Sequence, residues 1–282
     1  MRDLLADLSP IEMPAPEPAA SLRGPAQITV VAGDFHWPQH DEACENILLR
    51  VIDDIVPGLV ILNGDLCDFN AISRYPRDPL TENWSLMDER RDMWEFLHRL
   101  ERVMHRDAML FETSANHSGG SREGRWRRYL SERIPEIASD PLVAEALSYK
   151  KMFHPPWSRI SEAEEYVQIV PGLIALHGDV VRKNAAYSAV GMVDKWQVSL
   201  IHNHSHRMGH TSYRVPAIGT RPEGLVRAYE AGCMCKLTPT YGKGYDWQNG
   251  FCVVEHDGTD FNVVPIHIHN NKAMYQGRVY HG

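Results

Sequence analysis

Gln27-Ile28-Thr29-Val30-Val31-Ala32-Gly33-Asp34-Phe35-His36 and Leu59-Val60-Ile61-Leu62-Asn63-Gly64-Asp65-Leu66-Cys67-Asp68 are two apolar runs, each leading into a glycine and a carboxylate. The first is β-branched, and the second has the continuous apolar character of a strand buried on both faces. Between them Cys44, Ile47, Leu48, Val51, Ile52 and Ile55 recur at helical spacing, and Pro57-Gly58 ends that helix. Strand, helix and strand in this order predict a βαβ unit, hence an α/β fold with a parallel sheet covered on both faces. Loops leaving the carboxyl ends of such strands open on one edge, where ligands bind.

Outward from this unit the alternation continues. Thr81 to about His105 predicts the longest helix, with Met93, Leu97, Leu100 and Met104 on one face and Trp84, Trp94 and Phe96 assigned to the core. Ala108-Met109-Leu110-Phe111 predicts a third strand. Residues 122–133 are Arg-rich and helical in pattern, and another helix is expected from Pro141 to Tyr149. Strands near Tyr166–Val170 and Leu173–Leu176, a short helix from Asn184 and a strand at Val198–Ile201 follow. The remainder turns β-rich at Thr211–Val215, Leu225–Tyr229, Phe251–Glu255 and Phe261–His267, with His256-Asp257-Gly258 as a hairpin signal. Residues 1–26 hold five prolines among Ala and Glu and read as a mobile arm. Residues 27–282 read as a single domain containing two sheets.

The composition bounds the function. The chain has 282 residues, 43% hydrophobic and 23% charged, which excludes disordered, collagen-like and coiled-coil classes. Twenty-nine Lys and Arg against 37 Asp and Glu give a formal charge of −8, so a nucleic-acid partner would have to meet a local basic patch. Five scattered cysteines predict a reducing, cytoplasmic setting, and Cys233-Met234-Cys235 has no second pair to complete four metal ligands. Met1-Arg2-Asp3-Leu4-Leu5 does not read as a secretory signal. No apolar stretch approaches the ~20 residues that span a bilayer, so a soluble protein without a membrane partner is expected.

Fifteen histidines direct attention to the strand ends. Asp34-Phe35-His36 follows the first strand, Gly64-Asp65-Leu66-Cys67-Asp68 the second, and Asn116-His117 the third. Later strands deliver His177-Gly178-Asp179 and His202-Asn203-His204-Ser205-His206. Singly, an Asp here caps a helix and Gly-Asp makes a turn. In order, at successive strand ends, they converge on one edge.

This ordered set resembles the calcineurin-like metallophosphoesterases, whose pattern runs Asp-x-His, Gly-Asp-x-x-Asp, Gly-Asn-His-Asp/Glu, a later His and Gly-His-x-His. Pro38-Gln39-His40-Asp41-Glu42, Phe69-Asn70-Ala71-Ile72-Ser73-Arg74 and Trp247-Gln248-Asn249-Gly250-Phe251 are similar to a branch common in phage and prophage genomes. The resemblance implies a four-layer α/β/β/α sandwich, two mixed β-sheets flanked by helices. It also implies a dinuclear metal centre. Asp34, His36 and His206 would hold one ion, Asn116, His177 and His204 the other, and Asp65 would bridge them. Mixed N/O donors suit Mn²⁺, Fe or Zn²⁺ better than Mg²⁺. The implied activity is hydrolysis of a phosphate ester by a metal-bridging hydroxide, with His117 as the acid at the leaving oxygen. In the last motif His204-x-His206 is chosen because Asn203 and Arg207 occupy the flanking places, which leaves His202 structural.

Three departures stand out. Ala115 replaces the usual Gly, Ser118 replaces the usual acid after His117, and Gly119-Gly120-Ser121 lengthens the loop. The Arg-rich segment 122–133 gives a local +3, read either as a phosphate-drawing rim or as the exposed face of a helix packed through Trp126, Tyr129 and Leu130. Asp68, Arg125, Arg182 and Arg207 are the candidate substrate-binding residues. The expected function is a phosphodiesterase acting on nucleotides or other small phosphodiesters. A DNA or RNA nuclease of the same fold and a non-catalytic metal-binding scaffold are the alternatives.

Overall fold

The computed structural model describes residues 27–73, 83–118, 124–163, 165–216, 224–238 and 246–282. The expected arm at 1–26, Arg74, Thr81 and residues 119–123 lie outside the described residues. In chain order the elements are β1 (Gln27–Ala32), α1 (Glu42–Ile55), β2 (Leu59–Leu62), α2 (Leu86–Val103), β3 (Met109–Thr113), α3 (Arg125–Arg133), α4 (Pro135–Ala138), α5 (Pro141–Ala146) and α6 (Tyr149–Phe153). Then come β4 (Ser161–Ala163), β5 (Tyr166–Val170), β6 (Leu173–Leu176), α7 (Tyr187–Trp196), β7 (Ser199–His202), β8 (Met208–Val215), β9 (Gly224–Ala231), β10 (Asn249–His256), β11 (Phe261–Ile268), β12 (Lys272–Tyr275) and β13 (Arg278–His281).

Two mixed sheets result, in the orders β11-β10-β1-β2-β3-β4 and β5-β6-β7-β9-β8. β1 to β4 are parallel, as are β6, β7 and β9, while β10 and β11 in the first sheet and β5 and β8 in the second pair antiparallel with their neighbours. The period-two alternation of a strand explains the layering. Val30, Val60 and Leu62 turn toward α1 and α2, where they meet Ile47, Leu48, Met93 and Leu97. Their neighbours Val31 and Ile61 turn the other way and pack on Leu173, Ala175 and Ile201 of the second sheet. Ile174, Leu176 and Leu200 face outward again onto Ala189, Met192 and Val193 of α7. The order is helix, sheet, sheet, helix: a four-layer α/β/β/α sandwich.

Several boundaries differ from the sequence pattern for local reasons. α2 starts at Leu86 because Ser85 and Asp88 form a reciprocal capping box, Ser85 Oγ accepting from Asp88 N and Asp88 Oδ2 from Ser85 N. The helix expected over Pro141–Tyr149 is two helices, since Ser148 caps a new one by accepting from Lys151 N. The helix expected from Asn184 starts at Tyr187, its first amides capped by the buried Glu230 carboxylate. Phe96 is in the core, whereas Trp84 and Trp94 are half-buried and Trp94 donates to the Phe153 carbonyl. The terminal hairpin β12–β13 was not expected; Gln276 and Gly277, with φ of 47° and 76°, make its two-residue turn. Among the described residues no helix is long and apolar enough to cross a membrane.

Candidate metal centre

The carboxyl ends of β1, β2, β3, β6 and β7 bring Asp34, His36, Asp65, Asn116, His177, His204 and His206 to one edge, where both sheets meet. Asp34, His36, Asp65, His177 and His206 are buried, and Asn116 and His204 half-buried. Five of the seven have left-handed backbones: Asp34 (φ 56°), His36 (52°), Asp65 (48°), His204 (67°) and His206 (57°). A non-glycine residue held there costs on the order of 1–3 kcal/mol, and such residues concentrate at functional sites. Gly64, with φ of 82°, permits close approach: a Cβ there would lie 2.7 Å from both the Ala115 Cβ and the His177 Nδ1.

The side chains fall into two groups that share Asp65. In one, His36 Nε2 lies 3.1 Å from His206 Nε2, with Asp34 Oδ1 3.8 Å and 3.5 Å from the two rings. In the other, His177 Nε2 lies 3.0 Å from Asn116 Oδ1, 3.2 Å from His204 Nδ1 and 3.2 Å from Asp65 Oδ2. Asp65 Oδ2 is also 3.8 Å from His36 Nε2, so it stands between the groups. Its Oδ1 accepts from His117 N at 2.9 Å.

The donor chemistry fits cations. His177 Nδ1 lies 3.0 Å from the Asn63 carbonyl, which only accepts, so a ring proton sits there and Nε2 is the nitrogen turned to the cluster. His36 Nδ1 faces the Asp68 carboxylate at 3.2 Å, which turns its Nε2 to the cluster in the same way. These nitrogens therefore face carboxylates, an amide oxygen and other imidazoles in a buried space. Asp34 Oδ1 is buried with no hydrogen-bond partner. Such an arrangement is costly unless positive charge enters it. The ionisation tendencies agree. Burial opposes charge on Asp34, yet the His206, His36 and His177 imidazoles hold its carboxyl far below the ordinary range. Burial likewise opposes charge on His36 and His177, yet the surrounding carboxylates, Asp34 and Asp68 for His36 and Asp65 for His177, raise them to about 10 and about 9. The site is short of positive charge, and two divalent ions on these seven residues would supply it.

His117 stands beside this cluster. Its Nδ1 lies 2.9 Å from Asp68 Oδ1, and Arg125 Nη2 donates to its Nε2 at 3.0 Å. Burial pushes the His117 ring below its ordinary value. Asp68, expected on the substrate side, instead backs both His36 and His117, because its Oδ1 reaches the rear nitrogen of each ring. Arg125 also donates to the Asp68 carbonyl at 2.6 Å. Arg207 and Arg182 are engaged differently from Arg125: Arg207 donates to the Arg182 carbonyl and its Nε lies 2.6 Å from Asp246 Oδ2.

The loop at Ala115 closes without a left-handed residue there, Ala115 N donating to the Ser118 carbonyl at 3.0 Å. Ser118 Oγ accepts from Leu66 N and donates to Glu112, which also meets Tyr149 and His154, so a carboxylate does lie beneath this loop. His202 is fully buried on β7 with neither ring nitrogen hydrogen-bonded, and burial lowers it to about 3. Asn63, which the motif reading passed over, and Asn203, which it used only to set a register, tie the sheets together behind the site. Asn63 donates to the Leu176 carbonyl at 2.8 Å and to Asn203 Oδ1 at 2.7 Å, and Asn203 donates to the Gly232 carbonyl at 3.0 Å. An amide closing an apolar strand just before Gly64-Asp65 was the available signal for Asn63.

No family model matches the sequence. Over 260 residues the chain is 23% identical to the Gene 54 protein of Mycobacterium phage L5, covering 89% of this chain and 97% of that protein. The Gene 54 protein of Mycobacterium phage D29 is 22% identical with the same coverage. Among solved structures, Vps29 from Entamoeba histolytica complexed with Zn²⁺ is 13% identical, with 90% of this chain and 96% of that one covered and a TM-score of 0.41. Vacuolar Protein Sorting 29 from Cryptosporidium parvum is 11% identical, with 92% and 100% covered and a TM-score of 0.46. The chain is thus similar along nearly the full length of two mycobacteriophage proteins.

Proposed function

We propose that the protein is a phosphodiesterase of the calcineurin-like metallophosphoesterase type, working with two divalent ions. The observation that carries this reading is Asp65 Oδ2 standing between two groups of buried and half-buried donors, with one imidazole in each held through Nδ1 so that its Nε2 faces inward. Asp34, His36 and His206 would hold one ion and Asn116, His177 and His204 the other, with Asp65 available to both. Four nitrogen and oxygen donors for each ion suit Mn²⁺ first, then Fe or Zn²⁺, ahead of Mg²⁺. When bound, the ions supply Lewis-acid activation of water and neutralise phosphoryl charge.

The chain's own residues supply the rest. Asp68 orients the His36 and His117 rings through one oxygen. His117 and Arg125 stand together beside the ions, where a leaving oxygen can receive a hydrogen bond or positive charge. Because the first sheet supplies Asp34, Asp65 and Asn116 and the second His177, His204 and His206, neither sheet holds a site alone; this supports 27–282 acting as one unit. Five unpaired, buried cysteines support a reducing, cytoplasmic setting, and the mycobacteriophage relatives support a phage-type member.

The test is hydrolysis of bis(p-nitrophenyl) phosphate beside p-nitrophenyl phosphate after Mn²⁺ loading, with metal content measured on the same samples. The expected result is turnover of the diester, with Asp65→Ala losing metal and about 10³-fold or more of the rate. Full activity in Asp65→Ala overturns the ligand assignment. Bound metal with no turnover of either ester leaves a metal-binding scaffold.

A further inference from the structure

A cavity of about 500 Å³ opens directly beside Asn116 and His117. Ala71, Ile72 and Ser73 form one wall. The other is α3, which contributes Arg125, Arg128, Tyr129, Glu132 and Arg133. These positions run i, i+3, i+4, i+7 and i+8, a single helix face. The flank of that face is anchored: Trp126 is buried, donates to the Leu147 carbonyl at 2.7 Å and packs on Phe153 at 5.1 Å between ring centres. The arginine face is therefore fixed toward the cleft.

Three guanidinium groups against one Glu132 carboxylate give this wall a net +2 in a chain of −8. Arg125 is committed to His117 and the Asp68 carbonyl. Arg128 and Arg133 lie about 5 Å and about 12 Å farther along the helix axis, at 1.5 Å per residue. Like charges are gathered in a concave wall at a cost, which a bound anion offsets. The cleft begins at the His117–Arg125 pair, the side on which the proposed reaction releases its leaving oxygen. Its volume suits a molecule of nucleotide size, and Tyr129 offers an aromatic face for a flat ring.

We propose that this cleft receives the leaving half of the substrate, and that this half carries a phosphate of its own. The substrate is then a phosphodiester with a second phosphate beyond the scissile one, held by Arg128 and Arg133. The inference rests on the phosphoesterase reading and deepens it. Hydrolysis joins a water oxygen to phosphorus, breaks the bond from phosphorus to the leaving oxygen and gives that oxygen a proton from the water. The products are a phosphomonoester and an alcohol that keeps its phosphate. Such a second phosphate can be terminal, in a small nucleotide, or internal, in a polynucleotide.

The experiment uses the Mn²⁺-loaded full chain and compares kcat/KM for the dithymidine phosphodiester TpT with that for pTpT and TpTp. At least one phosphorylated form should be preferred about tenfold or more, and that ratio should fall toward one in Arg128→Ala/Arg133→Ala. Binding of thymidine 5′-monophosphate to the loaded protein, followed by calorimetry, should weaken about tenfold or more in the same variant. A ratio of one in the unsubstituted protein, or a ratio and an affinity that survive both substitutions, overturns the inference while bis(p-nitrophenyl) phosphate turnover leaves the phosphoesterase reading standing. Absence of all diester hydrolysis, with monophosphate binding still dependent on Arg128 and Arg133, overturns the phosphoesterase reading instead. A further gain with a thymidine dodecamer assigns the polynucleotide source, and none assigns the small nucleotide.

Discussion

The two groups of donors that share Asp65 have similar chemistry and different supports. Around His177 the support is backbone. The Asn63 carbonyl fixes the ring, and Asn63 itself is locked by Leu176, Asn203 and Thr113 across both sheets. Around His36 and His206 the support is side chain. Asp68 backs His36 and His117 together, Cys235 Sγ lies 3.9 Å from His206 Nδ1, and Trp247 packs against the His206 ring at 4.1 Å. A ligand oriented by a sheet moves only with the sheet, whereas one oriented by a carboxylate on a loop follows that carboxylate's rotamer. Partners behind the ligands therefore set the rigidity of each ion's position, beyond what the ligand types set.

The sharpest way to probe the side-chain-supported half is His117→Ala. Metal content should stay near that of the unsubstituted protein while turnover falls about 10²–10⁴-fold, most for esters with poor leaving groups. A uniform fall across good and poor leaving groups would make His117 a positioning residue. A smaller effect separates the two ion positions. Asp68→Asn should weaken one ion by about 10–100-fold and leave the other nearly unchanged in a calorimetric titration. Equal weakening of both would erase the contrast drawn between them.

The smallest effect lies behind His36. Trp37 donates to Glu45 at 3.0 Å, and burial raises the Glu45 carboxyl to about 7 even though the adjoining Arg99 guanidinium works to lower it. An acid whose folded pKa exceeds its unfolded value near 4.5 binds more protons when folded. Its stabilising share is present at low pH and is lost as pH rises from about 4.5 through about 7. Thermal unfolding between pH 5 and 8 should show a decline worth on the order of 1–3 kcal/mol that Glu45→Gln flattens. An identical decline in the variant would remove Glu45 from the account.

The strand ends were legible because parallel topology needs only local patterns. An apolar run followed by Asp34, Asp65, Asn116, His177 or His204 is visible in a few residues, and the direction of parallel strands does the gathering. The supports were not legible, because each joins residues far apart in the chain. Asn63 meets Asn203 across 140 positions, and Asp68 meets His117 across 49. Nothing near Asp68 distinguishes a carboxylate that backs two rings from one that faces solvent. The helix starts are a different case. The Ser85-to-Asp88 spacing is a capping signal in the sequence itself, and it sets the helix start that the apolar positions Met93 to Met104 leave open.

The left-handed backbones at Asp34, His36, Asp65, His204 and His206 bear on how this protein responds to selection. At each of them glycine or asparagine relieves conformational strain that the native side chain bears. A library ranked by abundance or heat resistance would therefore enrich replacements there, and a library ranked by metal retention would discard the same clones. The two rankings should run in opposite directions at these five positions and in parallel through the cores of the two sheets, so a pair of screens would outline the centre without a substrate in hand.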